Sequence, residues 1–182
     1  MPATREEIVA SLQNVDRQGA EYWRSFDPSV FLEKIGSSWS PAETVRHLVK
    51  GIRPVVKALR MPRLALRLMF GKPRRASVTY DELRTRYLAL LEAGGRAGRF
   101  APSPQTTSDG PTILGRLAEA NRSLTEAIGR WKDADLDRYQ LPHPLLGKLT
   151  VREMLYFMVY HQHHHMAVVE RRRAELGKVP AA

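Results

Sequence analysis

Cysteine is absent from the chain. That removes disulfides, thiolate metal ligands and a cysteine nucleophile together, so any metal chemistry has to rest on nitrogen and oxygen donors. No apolar run approaches the ~20 residues that a spanning helix needs, and the opening Met1-Pro2-Ala3-Thr4-Arg5 lacks the basic-then-apolar order of an export signal; a cytoplasmic location is expected. Acidic residues are in deficit, 19 against 29 lysines and arginines, for a formal net charge of +10. Such an excess attracts anions, but it bears on association and solubility more than on chemistry, and neither nucleic acid nor a membrane surface is expected as a partner. No serine-histidine-acid or paired-carboxylate arrangement emerges from the residue order, so catalysis through a covalent protein nucleophile is not expected.

What is present describes a globular helical protein. With 182 residues, 43% hydrophobic and 26% charged, the chain has the balance of an ordinary folded domain, and we expect one domain over residues 1–182. Ile8, Leu12, Val15 and Tyr22 recur at helical spacing after a Thr4 N-cap, predicting a long helix to about Ser25. Ser40-Pro41-Ala42-Glu43 combines an N-cap, a first-turn proline and a capping-box glutamate; it opens a second long helix along Val45, Leu48, Ile52, Val55 and Leu59, with Pro54 inside the pattern.

A third long helix is expected from about Thr112 to Trp131. A fourth follows the capping box Thr150-Val151-Arg152-Glu153 and reaches about Leu176 before Gly177. Between the second and third lies an insertion, residues 61–110: a basic-apolar connection with Arg60, Arg63, Arg67, Lys72, Arg74 and Arg75, one extra helix from about Tyr80 to Ala93 capped by Thr79 and Glu82, and an exposed Pro/Ser/Thr-rich loop from Ala101 to Pro111. The stretch Asp133 to Leu149, with Pro142, Pro144 and Gly147, reads as a loop. No strand set is apparent, so the expected class is all-α, a four-helix bundle with a helical insertion.

Four of the six histidines fall between His161 and His165. The inward seam of the last helix is expected at Val151, Met154, Met158, His161, His165, Val168 and Arg172. Residues four apart differ by only ~40° around a helix axis, so His161 and His165 can point at one ion, or form a hydrogen-bonded core pair. His164 falls off the seam and serves as an alternate ligand or as pocket wall; His163 faces largely away. A third ligand must come from His47, on the second helix, or from His143, in the proline-flanked loop. His47 shares a face with Glu43, Gly51, Pro54 and Ala58, off the main apolar stripe, and on spacing alone it reads as a surface histidine. Glu43, one turn before it, could orient its ring, though the capping box already accounts for that residue. His143 either lines a pocket mouth or is a plain loop residue.

Trp39-Ser40-Pro41-Ala42-Glu43 leading to His47-Leu48, and Gly147-Lys148-Leu149-Thr150-Val151-Arg152-Glu153 leading to His161 and His165, resemble the DinB/YfiT-like superfamily. The resemblance implies a four-helix bundle, commonly a homodimer, with His47, His161 and His165 as ligands to a divalent metal such as nickel or zinc. It implies as well a small-molecule substrate and either a metal-dependent hydrolase or an S-transferase using a low-molecular-weight thiol such as bacillithiol, mycothiol or glutathione. Three neutral imidazoles leave a divalent charge uncompensated and coordination positions open, the pattern of a catalytic rather than a structural centre. The competing expectation is a non-catalytic stress-response or binding module that uses the basic surface around Arg60 to Arg75.

Overall fold

The computed structural model describes residues 4–102 and 109–177. In chain order the elements are α1 (Arg5–Arg24), α2 (Pro28–Leu32), α3 (Pro41–Leu59), α4 (Arg63–Phe70), α5 (Tyr80–Glu92), α6 (Gly110–Gly129), the hairpin strands β1 (Gln140–His143) and β2 (Gly147–Thr150), and α7 (Val151–Glu175). Four of these helices begin with a reciprocal capping box: Thr4 with Glu7, Ser40 with Glu43, Thr79 with Glu82 and Thr150 with Glu153. Each box satisfies two backbone N–H groups that a helix start otherwise leaves bare. No helix among the described residues is long and apolar enough to cross a membrane.

The long helices α1, α6, α3 and α7 form a ring in that order, each packing against the next, and α7 closes back onto α1. The expected stripes are the ones buried: Ile8, Leu12 and Val15 on α1, Val45, Leu48, Ile52 and Leu59 on α3, and Ile113, Leu117 and Leu124 on α6. Each such side chain contributes roughly 1.5–3 kcal/mol through removal from water. The inserted segment lies against this ring, with α5 packed on α7 and α4 on β1. A four-helix bundle with an insertion between its second and third core helices is therefore what the chain forms.

The insertion departs from expectation in holding two helices, α4 as well as α5. Helix α4 starts from Pro62 with no side-chain cap, so no N-terminal signal marks it in the sequence. Of the expected loop from Ala101 to Pro111, residues 103–108 lie outside the described residues, and α6 opens at Gly110 on an Asp109 cap. The stretch read as a loop contains an antiparallel hairpin, with Gln140 opposite Thr150 and His143 opposite Gly147. Its four-residue strands, one interrupted by Pro142, are too short for alternation to register; Gly147, at φ +73°, supplies the left-handed residue that returns the chain.

Three cations of the basic segment have partners in the fold. Arg60 pairs with Glu126 at 3.7 Å, the Arg63 guanidinium stacks 3.2 Å from the centre of the Trp131 ring, and Arg75 pairs with the fully buried Glu153. Helix α7 also departs from a single seam, because residues Val151 to Val159 are buried all round, sheathed by α1, α3, α5 and the hairpin. Further along, α7 buries Val169 and Arg173, and the Arg173 guanidinium lies 4.3 Å from the Phe26 ring centre. Val168 and Arg172 instead face a cavity.

Candidate metal centre

Helices α3 and α7 bring His47, His161 and His165 together. The Nε2 atoms of His47 and His165 each lie 3.0 Å from Nε2 of His161, and all three nitrogens fall within 4.8 Å of one another. His47 is buried at 5% exposure, against the surface position its spacing suggests. A Cβ at Gly51, one turn on, would sit 3.9 Å from His161 Cε1, an ordinary van der Waals separation, so the two helices pass at contact distance there. Helix α3 runs through Pro54 without a break.

Hydrogen-bond chemistry sets the tautomer of His47. Its Nδ1 is 2.9 Å from the Phe100 carbonyl oxygen; a carbonyl only accepts, so Nδ1 carries the proton and Nε2 presents a lone pair. Phe100 ends the short 3-10 turn Gly98–Phe100 of the insertion, so the inserted segment contributes the group that orients a core ring.

The contacts at His161 do not suit an all-protein hydrogen-bond pair. A neutral ring nitrogen offers one proton or one lone pair, and His161 Nε2 faces two other nitrogens at 3.0 Å, one of them a lone pair by the argument just given. Bonds of ~2.0–2.1 Å to a shared ion place adjacent imidazole nitrogens about 3.0–3.4 Å apart, which matches both contacts of His161. The residues fit a divalent ion with three neutral nitrogen donors.

Burial keeps these rings neutral. It drives His161 and His165 well below the usual histidine range, reinforced by the neighbouring rings and, for His165, by Arg172. It also lowers His47, against the opposing effect of the Phe100 hydrogen bond. Aromatic rings fix the imidazoles from outside: Phe157 stacks on His161 at 4.7 Å, and Trp39 lies 5.1 Å from His47 and 6.5 Å from His165. Trp39 thus borders the cluster.

The cluster forms one wall of a cavity of about 740 Å³, within the size range of small-molecule sites. His164 lines it as pocket wall, its Nδ1 3.4 Å from the Tyr160 hydroxyl; burial, with Arg171 and Arg172, lowers its pKa to about 4. His163 is half-buried rather than solvent-facing. Glu43 does not reach the site: its carboxylate accepts from the Ser40 backbone N–H at 2.9 Å, as the capping box alone requires.

His143 also lines the cavity. Its Nδ1 accepts from the backbone N–H groups of Leu145 and Leu146, at 3.2 and 3.0 Å, which puts the ring proton on Nε2. Burial lowers its pKa to about 4, and its ring packs 4.3 Å from Phe157. Tyr87 on α5 and the arginines Arg96, Arg171 and Arg172 complete features of this cavity that sequence reasoning missed as site residues. Arg172 was placed on the α7 seam, but nothing in the spacing distinguishes a cavity-facing arginine from a solvated one.

No curated protein matches the chain. Several solved structures share its fold. The colibactin self-resistance protein ClbS, in complex with a dsDNA, is 19% identical, with 100% of this chain and 99% of that one covered at a TM-score of 0.66. YfiT from Bacillus subtilis, described as a probable metal-dependent hydrolase with an unusual four-helix bundle topology, is 19% identical over 96% of this chain and 89% of that one, at 0.62. TT2238, a four-helix bundle protein, is 20% identical over 92% and 99%, at 0.57. The ClbS complex overturns the expectation that nucleic acid is not a partner for such a chain. That expectation weighed net charge without its location, and five cations here gather along one shallow groove: Arg46, Lys50, Arg53 and Lys57 on α3, and Arg116 on α6. A family model for the DinB superfamily matches residues 3–169, and with the bundle and its histidine cluster in place, the chain belongs to the DinB superfamily.

Proposed function

We propose that the protein is a divalent-metal-dependent enzyme, of the hydrolase or low-molecular-weight-thiol S-transferase type, in which His47, His161 and His165 hold the ion, nickel or zinc. The observation that carries this reading is the convergence of three Nε2 atoms on one point, with His161 Nε2 3.0 Å from each of the others. A bound divalent ion supplies Lewis acidity, lowering the pKa of a water or a thiol toward neutrality. The chain's residues do the rest. Phe100 holds the His47 ring through Nδ1, Phe157 and Trp39 keep bulk water from the imidazole faces, and His143 offers an Nε2–H donor to the substrate.

The S-transferase type needs no protein thiol, consistent with a chain that has no cysteine. The hydrolase type is supported by the likeness to YfiT. The test is metal content by mass spectrometry after purification without a histidine tag, comparing wild type with His161→Ala. Close to one equivalent in wild type and little in the variant is expected; equal metal in both ends the reading. Ester hydrolysis and thiol conjugation assays on the loaded protein then separate the two reaction types.

A second reading is favoured by the α3 groove and the likeness to ClbS: a module that contacts the phosphates of duplex DNA. Arg46, Lys50, Arg53 and Lys57 recur at four, three and four residues and so share one helix face. Lys50 donates to the Ala101 carbonyl at 2.9 Å, while the rest are free of acidic partners among the described residues. Anisotropy with a labelled duplex should then report affinity that falls steeply with salt and is lost when Arg53 and Lys57 become glutamate. No binding at low salt removes this reading.

A further inference from the structure

The cavity beside the imidazole cluster is electrically one-sided. Arg96, Arg171 and Arg172 line it, and no aspartate or glutamate does among the described residues. None of the three arginines makes an ion pair among the described residues. Arg171 and Arg172 act on the site itself: both charges are felt at His164, and that of Arg172 at His165. Three neutral donors add no compensating charge when a divalent ion is present. Guanidiniums beside a cation, with Arg172 half-buried and Arg96 and Arg171 exposed, raise the electrostatic energy of the site, and an anion between them relieves it.

The opposite character lies deeper. Trp39, Met154, Phe157 and Met158 present apolar surface to the same cavity, which an inorganic anion does not cover. A half-buried Arg172 and an exposed Arg171 each sit about two turns beyond His165 and His164 respectively on α7, so the charged end of a ligand belongs on that side and its body on the aromatic side.

We infer that this pocket selects a small organic anion, with its acid group held by Arg171 and Arg172 and its apolar body against Trp39 and Phe157. The inference rests on the metal-site reading for the identity of the reacting end, but the arginine subsite is testable without an ion. The probes are 3-phenylpropanoate and its neutral amide, titrated calorimetrically into metal-stripped and zinc-loaded protein. Expected is at least about tenfold tighter binding of the acid in both forms. The ratio should fall to about threefold or less in Arg171→Gln/Arg172→Gln and stay unchanged in Arg17→Gln, on the exposed face of α1. Arg171→Gln alone, at an exposed position, keeps the test decisive if the double variant folds poorly, and should lower the ratio at least threefold.

Equal binding of acid and amide by stripped wild-type protein overturns the inference, since any preference seen only with zinc places the anion on the ion. A preference that survives both arginine substitutions overturns it too. Failure of the metal-site reading is read separately, from metal content, and leaves the acid-to-amide ratio of stripped protein unaffected.

Discussion

Glu153 offers the sharpest test of how the insertion is tied to the bundle. Its side chain is fully buried and its two oxygens serve three parts of the fold. One accepts from the Thr150 N–H at 2.8 Å, closing the α7 cap; the other accepts from the Val78 N–H at 2.8 Å; and Arg75 reaches both, with its second nitrogen at 3.1 Å from Oε2. Glu153→Ala strands the two backbone donors, each at about 1–3 kcal/mol when left without a partner, while the Thr150 side-chain cap on the backbone N–H of residue 153 remains.

Arg75 is 43% exposed, so its guanidinium recovers water and adds less than about 1 kcal/mol. The expected loss for Glu153→Ala is therefore about 3–5 kcal/mol, and for Arg75→Ala about 1–2 kcal/mol, because the carboxylate keeps both amide donors. Urea denaturation followed by circular dichroism measures both. Equal losses in the two variants would mean that the charge pair, not amide satisfaction, carries the stability; a loss under ~1 kcal/mol for Glu153→Ala would refute the reasoning altogether.

Zinc or nickel at ~100 times its dissociation constant should stabilise wild-type protein by about 2.7 kcal/mol and leave His165→Ala unmoved in a thermal melt. Gly98 precedes Phe100 with φ +52° and open space at its Cβ position, so Gly98→Ala meets backbone strain of about 1–2 kcal/mol without a clash; if the turn yields, the Phe100 carbonyl leaves His47, and competition with a chromophoric chelator should report metal affinity weakened about tenfold. Because burial lowers His143 to about 4, below the ~6.5 of an unfolded histidine, the folded state binds fewer protons; stability from this group is complete above pH ~6.5 and drains as pH falls toward 4. His143→Phe should thus be less stable at pH 7.5, through loss of its two amide bonds, yet lose less than wild type between pH 7 and 4.5, as urea midpoints at those pH values would record.

The helix starts were legible because a capping box needs two residues at fixed spacing, and Ser40 with Glu43 or Thr150 with Glu153 supply them without tertiary help. Helix α4 lacks that signal and was missed. The HxxxH pair was legible from helical geometry, whereas His47 was placed only by resemblance, because the groups that hold its ring, the Phe100 carbonyl and His161, lie far along the chain. The Phe100 carbonyl could not be found at all, since a main-chain oxygen carries no residue identity. The cationic groove was in plain view as four residues of one helix face, but its meaning depended on Arg116 arriving from α6.

The cluster draws its rings from positions 47, 161 and 165, so two nitrogens lie within a single helical turn and the third is separated from them by 114 residues. A denatured chain offers an ion the neighbouring pair at most, and the complete set comes into being only when the second and last long helices have docked. On the proposed metal-site reading, ion uptake with all three nitrogens would be a readout of finished tertiary assembly, and its free energy would add directly to the resistance of the native topology against unravelling.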